Sequence, residues 1–156
     1  MEDYKLDQTD RGILRLLQQD GKMPYKELAD KLGKTINPIM ERVKRLREEG
    51  YIESTVALVN LAKVGADFIA FPHINLTNHL EECMGLFKEK MISYPEVMEC
   101  YQLTGHYDFM LKVVLPNMAA YDRFLKEKIS TLPYVGSVQS FLAISEVKRD
   151  TAYVFL

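Results

Sequence analysis

At 156 residues, with 47% hydrophobic side chains and a net charge of −2, the chain has apolar material for one compact domain or two small ones, and its summed charge declares no polyanionic partner. Its acidic start, MEDYKLDQTD, is unlike a secretory or transit peptide, and no apolar run approaches the ~20 residues that span a bilayer, so a cytoplasmic protein without a membrane partner is expected. Cys83 and Cys100 lack CxxC spacing and are expected as buried free thiols; they and His73, His79 and His106 share no ligand spacing, which leaves no metal site.

Three short helices come first. Asp7 is a good N-cap ahead of Ile13, Leu14, Leu16 and Leu17, and Gly21 is placed to end the helix in the left-handed conformation, which predicts a helix over roughly 7–19. Pro24 opens YKELADKLG, where Leu28, Ala29 and Leu32 form a stripe and Gly33 stops a second helix of about two turns. In the third, Ile39, Val43, Leu46 and, at the edge, Met40 line one side, while Asn37, Glu41, Lys44, Arg45 and Glu48 project on the other. Thr35 or Asn37 can cap it, and Pro38 costs no hydrogen bond either way, because first-turn amides have no helical partner. Gly50 ends it.

Charge is concentrated on that third helix. From Lys31 to Arg47 six bases (Lys31, Lys34, Arg42, Lys44, Arg45, Arg47) face one acid, Glu41, whereas the lead-in is mildly acidic through Glu2, Asp3, Asp7, Asp10, Asp20, Glu27 and Asp30. A short helix, a turn of about three residues containing Gly33 and a longer basic helix have helix-turn-helix spacing. In that motif the second helix enters the major groove, its first turn facing base edges and its flanks meeting phosphates. A solvated surface helix with a Glu41–Arg45 pair, or a three-helix protein-interaction module, fits the same pattern. The β-branched YIESTVALVN then predicts a strand, as a wing or a linker.

After a hinge around 60–66 the elements alternate: a strand over 68–76, a helix over 80–93, strands over 97–104 and 108–115, a helix over 118–130 and a strand over 135–147. LFKEKMISYPEV (86–97) and FLKEKISTLPYV (124–135) repeat at an offset of 38, and Asn78 and Asn117 are placed to cap the two helices. Two βαβ halves make a four-stranded antiparallel sheet with both helices on one face, the ferredoxin-like arrangement. Both sheet faces carry apolar residues, so the uncovered one is expected to pack on a second subunit.

LDQTDRGILRLLQQDGKMPYKELADKLG, MERVKRLREEGYIESTVALVN, YQLTGHYDFMLKV and LPYVGSVQSFLAISEVK, in this order, resemble the Lrp/AsnC (feast/famine) regulators over nearly the whole chain. The resemblance implies an α+β chain. A three-helix (winged) helix-turn-helix DNA-binding domain would span 1–52, a linker strand or hinge 53–66, and a βαββαβ ferredoxin-like effector-binding and oligomerisation (RAM) domain 67–156. The implied function is a sequence-specific transcriptional regulator of double-stranded DNA, built from homodimers that assemble to tetramers or octamers. It would have no cofactor beyond a small-molecule effector, by family default an amino acid.

Thr35, Ile36, Asn37 and Pro38 stand where the family often shows Ser-Pro-Thr-Pro or a similar run. Asn37 can offer its amide to an adenine edge and Ile36 an apolar contact such as a thymine methyl. Glu41, Arg42, Lys44, Arg45 and Arg47 complete the expected DNA-contacting set, the bases on phosphates. Gly105, His106, Tyr107 and Asp108 match the family's glycine-aspartate loop, whose amides suit a carboxylate and whose Asp108 suits an α-ammonium group. Val138 and Ser140 stand at its Thr-x-Thr pair. In a bland reading Asp108 caps a turn and His106 faces solvent. A ligand-independent DNA-packaging role would use the same residues. Sirohaem decarboxylases resemble the same architecture, but CYQLTGHYDFML holds one His and no Arg for that proton chemistry, and no catalytic set stands out elsewhere.

Overall fold

The computed structural model describes residues 4–155; Glu2 and Asp3 of the acidic lead-in lie outside them. The chain forms two compact units, one of Met1–Leu58 with Lys148–Leu156 and one of Val59–Val147. The last residues thus group with the helices, whereas the sequence assigns them to the second domain.

The first unit holds α1 (Gln8–Gln19), α2 (Tyr25–Leu32) and α3 (Ile36–Glu48) around a core of Ile13, Leu28, Ala29, Ile39, Val43 and Leu46. Asp7 caps α1 in a reciprocal box: its carboxylate accepts from the Asp10 amide at 2.8 Å, and the Asp10 carboxylate accepts from the Asp7 amide at 3.1 Å. Gly33 ends α2 in the left-handed conformation, with φ 62°. Thr35 is the N-cap position of α3, without a side-chain hydrogen bond, which puts Pro38 inside the first turn.

Gly21 does not adopt the left-handed conformation expected of it; Asp20, in extended geometry, ends α1. Its lack of a side chain matters for space instead, because a Cβ there would lie 2.8 Å from Cγ2 of Thr55. The strand expected over 51–60 is also absent: the segment is irregular, Ile52 packs against the helical core, and the apolar residues after it are exposed, Val56 at 71%. β-propensity alone cannot make a strand, since a ladder needs a second backbone. Within this unit the chain's end lies along α1, where the Gln18 side chain brackets Tyr153, accepting from its amide at 2.7 Å and donating to its carbonyl at 3.1 Å.

The second unit is β1 (Phe68–Leu76), α4 (Glu81–Ser93), β2 (Val97–Gln102), β3 (Phe109–Leu115), α5 (Met118–Phe124) and β4 (Val135–Leu142), with a 3₁₀ turn at Ala62–Val64 before β1. The sheet is antiparallel in the order β2-β3-β1-β4, the ferredoxin-like topology. Ala70, Ile74 and Leu76 of β1 and Phe109, Leu111 and Val113 of β3 pack with Phe87 and Met91 of α4 and Tyr121 and Phe124 of α5 in one core.

Several boundaries differ from expectation. The helix expected over 118–130 splits into α5 and a π-helical turn, Leu125–Ile129, which leaves Ile129 buried and Lys128 Nζ 2.7 and 2.9 Å from the Glu96 carboxylate. Leu80 rather than Asn78 is the N-cap position of α4; Asn78 Oδ1 accepts instead from the Leu80 amide at 2.9 Å. Asn117 caps α5, accepting from the Ala120 amide at 2.9 Å. β4 ends at Leu142, opposite Ala70; the Ala143 amide still donates to the Ile69 carbonyl at 3.0 Å, and residues 143–147 are irregular. Both cysteines are free, but Cys83 is half-buried and Cys100 exposed, so neither is the buried thiol expected.

Candidate nucleic-acid interface and effector loop

α3 is held by one side and offered by the other. Ile39, Val43 and Leu46 are buried, while Thr35, Ile36, Asn37, Pro38, Glu41, Lys44, Arg45 and Arg47 are exposed. The first-turn residues expected to read bases therefore share the free surface of one helix, which α2 and the Gly33 turn precede.

The basic residues behind them divide into two groups. Arg42 is half-buried, and its Nη1 donates to Asp7 Oδ2 at 2.6 Å and to Asp10 Oδ1 at 2.7 Å. Asp10 is fully buried and also accepts from the Tyr4 hydroxyl at 2.6 Å. These bonds hold the Arg42 guanidinium above its ordinary pKa, the one to Asp10 contributing most. Its geometry is that of a residue fixing α3 on α1 rather than the phosphate contact expected. Arg45 packs 4.2 Å over the Tyr4 ring, a cation–π contact that replaces the expected Glu41–Arg45 pair. Tyr4 is held in turn by the Tyr51 hydroxyl, which donates to its carbonyl at 2.7 Å. Lys44 reaches Glu48 at 3.7 Å, an exposed pair of little strength. Among the described residues Lys34 and Arg47 make no ion pair.

In the second unit the residues expected to meet an effector fall into two groups. Gly105, at φ 107°, makes the turn between β2 and β3 that a side chain would strain. Asp108 Oδ2 accepts from the Leu76 amide at 2.8 Å, and the carboxylate also meets His79 Nε2 at 2.9 and 3.1 Å. His106 is exposed, edge-on to the Tyr107 ring at 4.8 Å. Tyr107 bonds Gln139 and lies 5.0 Å from the His73 ring, on the sheet face away from the helices. Val138 and Ser140 belong to the opposite face, paired in register with Ile74 and Pro72. Val138 packs against the core, and Ser140 Oγ is 2.6 Å from the Tyr121 hydroxyl. Burial pushes the Tyr121 phenol up, against the hydrogen bond with Ser140, which acts the other way. Loop and strand residues thus do not converge within one protomer.

The uncovered sheet face carries Ile69, Phe71, Met110, Val114 and Phe141, with Glu99 and Lys112 paired across it at 2.9 Å. That hydrogen bond outweighs burial, which acts the other way, and holds the Glu99 carboxyl below its ordinary range. Sequence reasoning missed Tyr4, Asp10 and His79. Asp7 and Asp10, three residues apart, are a capping-box signal, but the partners of Asp10 and His79 lie far along the chain.

Among the described residues no helix is long and apolar enough to cross a membrane, and no group of three potential metal ligands converges. Residues 6–53 match the winged helix-turn-helix DNA-binding family, and residues 69–153 match the Lrp/AsnC ligand binding domain. The Bkd operon transcriptional regulator of Pseudomonas aeruginosa is 34% identical over 148 residues, covering 95% of this chain and 97% of that protein. The proline dehydrogenase transcriptional activator of Rhizobium radiobacter is 37% identical over 144 residues, 92% of either chain. Among solved structures, a transcriptional regulator from Neisseria meningitidis in complex with L-Met superposes with a TM-score of 0.91 at 27% identity, covering 96% of this chain and 97% of that one.

Proposed function

The chain belongs to the Lrp/AsnC family of transcriptional regulators, and from that premise we propose that it reads double-stranded DNA in the cytoplasm as a homo-oligomer whose affinity an amino acid adjusts. The exposed front of α3, set above a fully buried Ile39, Val43 and Leu46, carries this reading. Thr35, Ile36 and Asn37 face base edges while Lys34, Lys44, Arg45 and Arg47 meet phosphates, and Arg42 holds the helix in place. A dimer formed through the open sheet face presents two copies of α3 to successive major-groove turns, about 34 Å apart.

The effector meets Asp108 through its ammonium group and the Gly105 turn through its carboxylate, at a site that a second protomer completes. The relative solved with L-Met supports an amino acid as the ligand class. Coupling to DNA requires the ligand to bind two assembly states unequally. The role is regulatory rather than enzymatic, in keeping with the names of its relatives.

The test is a gel-shift series over genomic fragments at rising salt. A preferred fragment and a steep salt slope are expected, with Asn37→Ala relaxing the preference and leaving the slope. If neither preference nor slope appears, the DNA reading is wrong. Calorimetry with the twenty amino acids tests the effector: heat from none, with no change in oligomer size, favours ligand-independent packaging of DNA.

A further inference from the structure

The exposed surface of α3 has two unlike flanks. On one, Arg42 and Arg45 are engaged by Asp7, Asp10 and Tyr4 of their own unit. On the other, Ile36 and Met40 stand one turn apart, 42% and 45% exposed, with Arg47 two turns beyond Met40 on the same side. The core beneath is complete without them, since Ile39, Val43 and Leu46 are already buried. Two large aliphatic side chains left nearly half exposed forgo part of the gain of burial, and their place is the front of the helix, where bases are met.

No acidic residue separates Ile36 from Met40 on that flank, and Lys34, Lys44 and Arg47 lie around it, so a polyanion is the surface it complements. In the major groove one feature is apolar, the C5-methyl group of thymine. We propose that Ile36 and Met40 form an apolar edge that selects thymine methyls, which makes Met40 a specificity-determining residue of α3. This rests on the DNA-binding reading above and names the chemistry by which that site discriminates. Met40 lies one turn behind Ile36, so the edge spans neighbouring base pairs rather than one.

The full-length protein is first used to select a preferred duplex. Each thymine in that duplex is then replaced singly by deoxyuridine, which removes the methyl and leaves every hydrogen-bonding group in place. The wild-type protein is expected to lose about fourfold in affinity at one or two positions, the worth of one buried methyl. Met40→Ala and Ile36→Ala bind thymine and deoxyuridine duplexes equally at the affected positions, with the salt slope unchanged, and Met40→Leu keeps the discrimination.

A preferred duplex indifferent to every deoxyuridine overturns this inference alone. So does Met40→Ala if it discriminates as the wild type does, or if it alters oligomer size instead, which would make the edge a contact between proteins. Failure to select any preferred duplex overturns the DNA-reading site and the inference together.

Discussion

Asp10 in the helical unit and Asp108 in the sheet unit are both acids beside a nitrogen-bearing side chain, yet only one is free to change partners. Asp10 is wholly out of water and accepts from Tyr4, the Asp7 amide and Arg42, whose guanidinium stays charged at any working pH. Asp108 keeps 19% of its side chain exposed, is anchored by one amide, and turns its remaining acceptor capacity to His79, itself 66% exposed. Burial with a permanent cation makes a structural acid. Partial exposure with a surface partner leaves one that a ligand can engage at low cost, because little protein structure has to be undone.

The largest expected effect comes from Asp10→Ala. Removing this carboxylate takes the acceptor from the Tyr4 hydroxyl and the Asp7 amide and leaves Arg42 with Asp7 alone, and about 3 kcal/mol of stability should be lost in urea melts of the full chain. Asp108→Asn should leave the melt within about 1 kcal/mol, since Asn can still accept from Leu76, while an amino acid that gives heat with the wild type binds about tenfold more weakly. Equal loss of stability from the two substitutions would show that both acids are structural. Unchanged ligand heat with Asp108→Asn would remove Asp108 from the effector site.

Asp7 lies between these extremes, half exposed but bonded to the same arginine. Asp7→Ala should cost about 1 kcal/mol through the lost cap. The hydrogen bond from the Asp10 amide, with Arg42 behind it, holds the Asp7 carboxyl below its ordinary value. A depressed pKa means the contribution is fully present above the unfolded-state value and is lost as pH falls through the folded one. Melts of wild type and Asp7→Ala should therefore differ at pH 6 and converge in strong acid. Curves that stay parallel down to pH 2 would mean the carboxylate contributes no charge-dependent stability.

What could be read in advance followed from distance along the chain. The bounds of β1, Phe68–Leu76, come directly from its alternation, and the capping of α1 by Asp7 comes from residues three apart. The helix-turn-helix spacing and the ferredoxin-like order are likewise periodic patterns, and they carried the fold. The strand expected over 51–60 and the long β4 failed because propensity supplies half of a ladder. At the candidate sites the failures share another cause. Arg42 finds its acids 35 and 32 residues upstream, and Asp108 its histidine 29 residues upstream, so Arg42 looked like one more phosphate contact and His79 like nothing. Met40, read as the edge of a buried stripe, is 45% exposed beside the three neighbours that fill that core.

His79→Ala should have the smallest effect, and its smallness is informative. An exposed side-chain pair is worth a fraction of a kcal/mol, so the melt should shift by less than about 0.5 kcal/mol, while the Leu76 amide continues to hold Asp108 where it is. With the imidazole gone, both Asp108 oxygens are open to an ammonium group, and calorimetry should find the effector bound at least as tightly as by the wild type. Binding weakened as much as by Asp108→Asn would instead make His79 a direct contact of the ligand, and the acid at 108 would then work only as part of a fixed pair. A stability loss rivalling that of Asp10→Ala would go further, because it would mean that the surface histidine locks the loop as firmly as Arg42 locks α3, and the distinction between an exchangeable acid and a structural one would fail.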